Sequence, residues 1–154
     1  MNKVVDCIYI ANKIIEECIH KIELYDQIGI ERPDLLIISN DDKASQVYVR
    51  NKKRACEKLG IQCDVKSDVT PEEMSKYKRV ILQLPTNKPE LMKSILSIQD
   101  VDCLNEYNVG KLHLGEEPFY LPCTPNGIMT MLKHERYDLD GKHVVIVGRS
   151  NIVG

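Results

Sequence analysis

The chain has 154 residues, 43% of them hydrophobic and 29% charged, with a formal net charge of -2. That is a soluble globular composition with room for one ordinary domain, or one domain and the beginning of a second. It excludes a basic field that would recruit nucleic acid, and no apolar run approaches the ~18 residues of a membrane span. The six cysteines include no C-x-x-C pair and the four histidines stand apart, so neither a zinc site nor a disulfide framework follows. No metal is expected. The N-terminus lacks the layout of a signal or transit peptide, which makes a reduced cytoplasm the expected compartment.

Ala11, Ile14, Ile15, Cys18, Ile19 and Ile22 recur at helical spacing and predict an amphipathic helix ending near Gly29. Pro33 precedes Leu35-Leu36-Ile37-Ile38, a run suited to a buried strand. Ser39, Asn40, Asp41 and Asp42 offer turn and N-cap chemistry for a second helix, which stops at Gly60. Residues 62–65 predict a weak strand. Thr70-Pro71-Glu72-Glu73 places a threonine N-cap, a proline at N1 and a glutamate at N3, which predicts a helix start. Residues 80–84 predict another buried strand, closed by Pro85, and residues 89–98 a short helix. Residues 99–122 read as irregular. Thr124-Pro125 starts a helix through Met131 and Leu132, and residues 144–147 predict a last strand running into Gly148. Strands alternating with helices argue for a parallel α/β sheet.

One lysine breaks the usual pattern. Tyr48, Lys52, Ala55, Cys56 and Leu59 share one face of the second helix, while Arg50, Lys53, Arg54, Glu57 and Lys58 take the others. Lys52 therefore points with the tyrosine toward the core. An ammonium in an apolar cleft loses its proton more easily and can act as a base or proton carrier near neutral pH. The alternative is a stem lying on apolar surface with its head in water. Gln83 ends the strand over residues 80–84, and ligands of open α/β sheets bind beyond the carboxyl ends of strands. Lys52 and Gln83 can thus converge on one cleft, where the amide oxygen can hold the ammonium in place. Gln83 satisfying loop backbone is the plainer alternative. Asp100 and Asp102 fit a loop turn equally well. Backbone N–H groups at Thr124-Pro125 could meet an anionic or carbonyl group, or simply start a helix. Cys123, between two prolines, reads as packing.

In chain order stand Tyr48-x-x-x-Lys52, Gln83-Leu84-Pro85, Asp100-Val101-Asp102, Pro122-Cys123-Thr124-Pro125-Asn126-Gly127 and Val147-Gly148-Arg149-Ser150-Asn151-Ile152-Val153-Gly154. Together these blocks resemble the bifunctional methylenetetrahydrofolate dehydrogenase/cyclohydrolase family, from about residue 35 to the last residue. The stretch 44–52 and the GlyArgSer-x-x-ValGly run are the most specific pieces. The resemblance implies a three-layer parallel-sheet folate-binding catalytic domain over residues 1–122. A connecting helix and the first strand of an incomplete Rossmann-like domain would occupy 123–154.

It implies two reactions. Hydride leaves 5,10-methylenetetrahydrofolate for a nicotinamide, and water then opens the methenyl cation to 10-formyltetrahydrofolate. Lys52 and Gln83 would serve the one-carbon chemistry, and Tyr48 would stack on the aminobenzoyl ring. Asp102 would accept hydrogen bonds from the pterin, and Ser45 would join the substrate site. Gly148, Arg149 and Ser150, with Thr124, would meet the dinucleotide. The Gly-Arg-Ser turn does not match G-x-G-x-x-G, and its arginine suits a 2′-phosphate, which favours NADP over NAD. A homodimer is implied for the full-length protein.

The chain departs from the family in places. It ends at Gly154, as the phosphate-loop helix should begin, so the alternative is a truncated homologue or fragment that binds folate without dehydrogenase activity. Cys103 stands where a glycine usually follows the Asp-Val-Asp block, at a cost of ~1 kcal/mol or more if its φ is positive.

Overall fold

The computed structural model describes residues 4–40 and 42–153; Asp41 and Gly154 lie outside the described residues. Helix α1 (Cys7–Gln27) is capped by Asp6, whose carboxylate accepts the Tyr9 N–H at 2.9 Å. Strand β1 (Asp34–Ile38) leads to α2 (Lys43–Leu59), where Asp42 is the N-cap and accepts the Ser45 N–H at 3.0 Å. Gly60 closes α2 in the left-handed region at φ 63, its N–H returned to the carbonyls of Cys56 and Glu57. Strand β2 (Gln62–Lys66) follows, then the single turn α3 (Pro71–Met74). Thr70 and Glu73 cap α3 reciprocally, as the four-residue signature predicts. Strand β3 (Val80–Leu82), a 3₁₀ turn (Pro89–Ser94), α4 (Glu106–His113) and α5 (Cys123–His134) complete the order.

All three strands are parallel, in the order β2-β1-β3. The register pairs Leu36 with Val80 and Ile38 with Leu82, which puts these four side chains on one face. Val69 and Met74, before and on α3, and Leu91 and Ile95, on and just after the 3₁₀ turn, cover that face. On the opposite face Cys63 of β2 meets Cys56 of α2, and Ile37 and Ile81 are buried. Helices thus flank the sheet on both sides, the three-layer arrangement expected. Leu36, Ile37, Met74 and Val80 expose no surface. Burying each such side chain stabilises by about 1.5–3 kcal/mol.

Four expectations change. Strand β3 stops at Leu82; the Gln83 N–H still reaches Ile38 O at 2.8 Å, but Pro85 has no N–H to continue the ladder. The helix expected over 89–98 is a 3₁₀ turn ending at Ser94. Residues 99–122 are not wholly irregular, because Asn105 caps α4 by accepting the Tyr107 N–H at 2.9 Å. The last strand does not form: Val144, Val145, Ile146 and Val147 are 63–97% exposed and pair with no strand among the described residues. A strand without a ladder partner has unpaired backbone groups and no reason to persist as one. The first strand of the Rossmann-like unit is therefore absent from the described fold. Cys103 does occupy the left-handed region, at φ 57, and is buried.

Gly60 offers a direct check on these boundaries. A Cβ there would lie 2.1 Å from Nη1 of Arg32, the same nitrogen that donates to Gly60 O at 3.2 Å. Gly60→Ala should destabilise the protein by about 1–2 kcal/mol, adding left-handed strain to displacement of Arg32. The measurement is the urea midpoint; an unchanged midpoint would contradict this helix end.

Candidate functional site

Three elements deliver the polar groups of one cleft. Helix α2 begins beyond the carboxyl end of β1 and carries Tyr48 and Lys52 one turn apart. Beside β1, β3 releases Gln83 at its own carboxyl end. Asp100 forms an isolated parallel bridge with Val80, so the chain from Asp100 runs alongside β3 in the same direction. Two residues on, Asp102 arrives near Lys52. Lys52 Nζ donates to Gln83 Oε1 at 2.9 Å and lies 3.5 Å from Asp102 Oδ2. Gln83 is itself fixed, its Nε2 donating to Leu84 O at 2.9 Å.

The cleft encloses about 370 Å³ and is lined by Tyr48, Lys52, Gln83, Asp102, Leu104 and Thr124, with Leu84, Cys123 and Ile152. That is the lower end of the range for small-molecule sites. Lys52 turns inward as helix phase predicts, but its head meets an amide and a carboxylate rather than apolar walls, and Tyr48 does not follow it toward the core. The side chains of Lys52 and Asp102 are 31% and 21% exposed, a partly solvated pair that orients groups more than it stabilises the fold. Tyr48 is 63% exposed, so one side of its ring is free to take a planar ligand.

Helix α5 forms the far wall. It starts at Cys123, one residue earlier than expected, and brings Thr124 to the cleft. Cys123 is exposed as a residue, yet its Sγ turns inward and donates to Val101 O at 3.4 Å. Burial of the sulfur first, and the neighbouring Asp102 carboxylate second, push its thiol up to about 11. Among the described residues no group of His, Cys, Asp and Glu is placed to hold a metal ion.

Other expected site residues are not gathered here. Ser45 is 1% exposed, and both its N–H and its Oγ donate to Asp42 Oδ2, at 3.0 and 3.1 Å. Its hydroxyl secures the start of α2 and does not line the cleft. Gly148, Arg149 and Ser150 are exposed and also lie outside the lining, with Ser150 Oγ accepting the Val153 N–H at 3.0 Å. Ile152, two residues beyond this turn, does line the cleft. Leu104 and Ile152 escaped the sequence reading because an aliphatic residue in a loop carries no chemical signature.

The fold and site define an α/β module with a small-molecule cleft at the carboxyl ends of parallel strands, where a lysine, a glutamine and an aspartate converge. The catalytic domain of tetrahydrofolate dehydrogenase/cyclohydrolase matches residues 5–102, and the NAD(P)-binding domain of the same family matches 122–154. The chain belongs to the tetrahydrofolate dehydrogenase/cyclohydrolase family. It is 39% identical to the bifunctional protein FolD of Campylobacter jejuni, over 94% of this chain and 57% of that protein. The crystal structure of the bifunctional FolD enzyme from Campylobacter jejuni superposes with a TM-score of 0.84 at 38% identity, covering 97% of this chain and 59% of that one. The Trypanosoma brucei FolD structure, complexed with NADP cofactor and inhibitor, gives 0.84 at 30% identity, over 99% and 58%. The chain thus spans less than two thirds of the length of these relatives. No helix among the described residues is long and apolar enough to cross a membrane.

Cys123 makes the electrostatics of the cleft testable. With its pKa raised to about 11, only ~10⁻⁴ of the thiol is ionised near pH 7. Iodoacetamide should label Cys123 slowly at neutral pH, with a rate that climbs until the pH passes about 11. Peptide mass spectrometry follows this site separately from the other cysteines. Labelling at neutral pH as fast as a free thiol would contradict the arrangement.

Proposed function

We propose that the full-length protein oxidises 5,10-methylenetetrahydrofolate with NADP and hydrolyses the resulting methenyl cation to 10-formyltetrahydrofolate. The observation that carries this reading is the Lys52 ammonium fixed by Gln83 Oε1 and Asp102 Oδ2 within the cleft. Family membership supports it. Tyr48 offers a ring face for the aminobenzoyl group, and Asp102 offers two carboxylate oxygens to adjacent N–H donors of the pterin. Gln83 holds Lys52 through its acceptor alone, keeping the lysine nitrogen at the cleft where water would meet the reacting carbon.

In the hydrolysis, water oxygen bonds to the amidinium carbon and the cation is discharged as one proton leaves. The carbon–N5 bond then breaks with its electron pair going to nitrogen, which takes the second proton of the water. Lys52 is placed to relay these protons and Gln83 to keep it aimed. The dinucleotide supplies the hydride acceptor for the oxidation when bound. Arg149, beside the exposed Gly148, would hold its 2′-phosphate. Thr124, at the start of α5, would present its backbone N–H to the same ligand. The proposed division falls at residue 122, and the same reading places the full-length protein in the cytoplasm as a homodimer.

Lys52→Met keeps the stem and removes the amine. In the full-length protein it should lower hydrolysis of methenyltetrahydrofolate by at least ~10²-fold with an unchanged circular dichroism spectrum. Wild-type hydrolysis in that variant would remove Lys52 from the chemistry. Asp102→Asn and Tyr48→Ala should each raise the folate KM about tenfold while shifting Tm by only a few degrees. Unchanged folate affinity in both, measured by calorimetry, would return these residues to purely structural roles.

A further inference from the structure

Behind the cleft lies a buried polar cluster that the proposed chemistry does not use. Asn108, on α4, exposes no surface, and Asp100 is 2% exposed. Asn108 Nδ2 donates to Ser97 O at 2.8 Å and to Asp100 Oδ2 at 3.2 Å. Its Oδ1 accepts the Phe119 N–H at 3.1 Å. The same Asp100 oxygen accepts the Asn105 N–H at 2.7 Å, and Asn105 Nδ2 donates to Ile95 O at 2.9 Å. The ring of Tyr107, next to Asn108, stacks on Phe119 with centroids 5.8 Å apart.

These bonds join the stretch beginning at Asp100 to the approach to α5, two segments that also touch directly where Cys123 Sγ donates to Val101 O. Asp100 begins the stretch that presents Val101, Asp102 and Cys103, whose φ of 57 keeps the turn tight. Phe119 stands four residues before Cys123, in the approach to α5 and Thr124. One amide therefore ties the Asp102 wall to the Thr124 wall. Both its N–H groups and its oxygen are used, so no other uncharged side chain of its size reproduces the set. An apolar residue there would leave the Ser97 carbonyl, the Asp100 carboxylate and the Phe119 N–H short of partners in a dry site.

We propose that Asn108 is a positioning residue for folate, setting the distance between Asp102 and the N-terminus of α5 through Asp100 and Phe119. It touches no substrate. It acts by holding the two walls in register, so its loss loosens substrate binding more than it slows the bound chemistry. The inference rests on the proposed folate function.

The test uses the full-length protein and hydrolysis of methenyltetrahydrofolate. Asn108→Asp keeps the shape and the Phe119 contact but sets a second carboxylate against Asp100. It should raise the folate KM about tenfold with kcat within about twofold of wild type. Asp100→Asn keeps one oxygen for both the Asn105 N–H and Asn108 Nδ2, and should leave KM within about threefold of wild type. A folded Asn108→Asp variant with wild-type KM, or Asp100→Asn raising KM as far as Asn108→Asp does, overturns the proposal. If Asn108→Asp does not fold, Asn108→Ser decides: it is too short to reach every partner of the amide, so once folded it should raise KM with kcat retained, and a wild-type KM overturns the proposal. Failure of both variants at this position to fold assigns Asn108 to the core alone and also overturns it. A wild-type protein that neither binds nor hydrolyses the folate sinks the functional reading itself, an outcome distinct from all of these.

Discussion

The parallel pairing of β1 with β3 is the constraint on which the cleft depends. It aligns the carboxyl ends of two strands that are far apart in sequence, so the loop entering α2 and the residue after β3 open on the same side. Lys52 and Gln83 are separated by 31 positions and meet at 2.9 Å for that reason. The pairing itself is held by apolar burial: Leu36, Ile38, Val80 and Leu82 share one face beneath Met74 and Ile95. Slipping the register by one residue would turn these side chains to the other face and move Gln83 away from Lys52.

From that frame the cleft is extended by polar rather than apolar contacts. A single bridge from Asp100 to Val80 carries the chain along the free side of β3 and places Asp102 within 3.5 Å of Lys52. Gln99 secures the approach, its Nε2 donating to Tyr77 O at 2.6 Å and its Oε1 accepting the Leu96 N–H at 3.2 Å. Such buried amides fix one loop conformation where an apolar loop core would allow several. The cleft is thus rigid behind and partly open in front, with the half-exposed ring of Tyr48 at its edge.

Helix α5 behaves differently. It has no fully buried residue, and its contacts with the rest run through α1 and through Cys123 at its first turn. Beyond it, residues 144–147 form no ladder, and the Gly148–Ser150 turn stands exposed and outside the cleft lining. The polar groups of the cleft come from α2, the residue after β3 and the stretch after Asp100, while the Gly-Arg-Ser turn faces open space.

The amino-acid sequence by itself determined the starts of α2 and α3, the apolar strands and the phase of Lys52. These follow from local chemistry: a side chain that caps its own helix, a glycine that tolerates φ 63, an apolar spacing that repeats within one element. The direction of Lys52 was legible because it sits on a regular helix, and Gln83 because it directly follows a buried strand. The tertiary structure alone decided the rest. It shortened β3, withheld a strand from 144–147, folded α4 within residues read as irregular, and turned Ser45 onto Asp42. It also brought Asp102, Leu104 and Thr124 to the lysine and buried Asn108 between two loops. Each of those outcomes depends on a partner distant in the chain, because a strand needs a neighbour and a loop residue takes its direction from what it docks against.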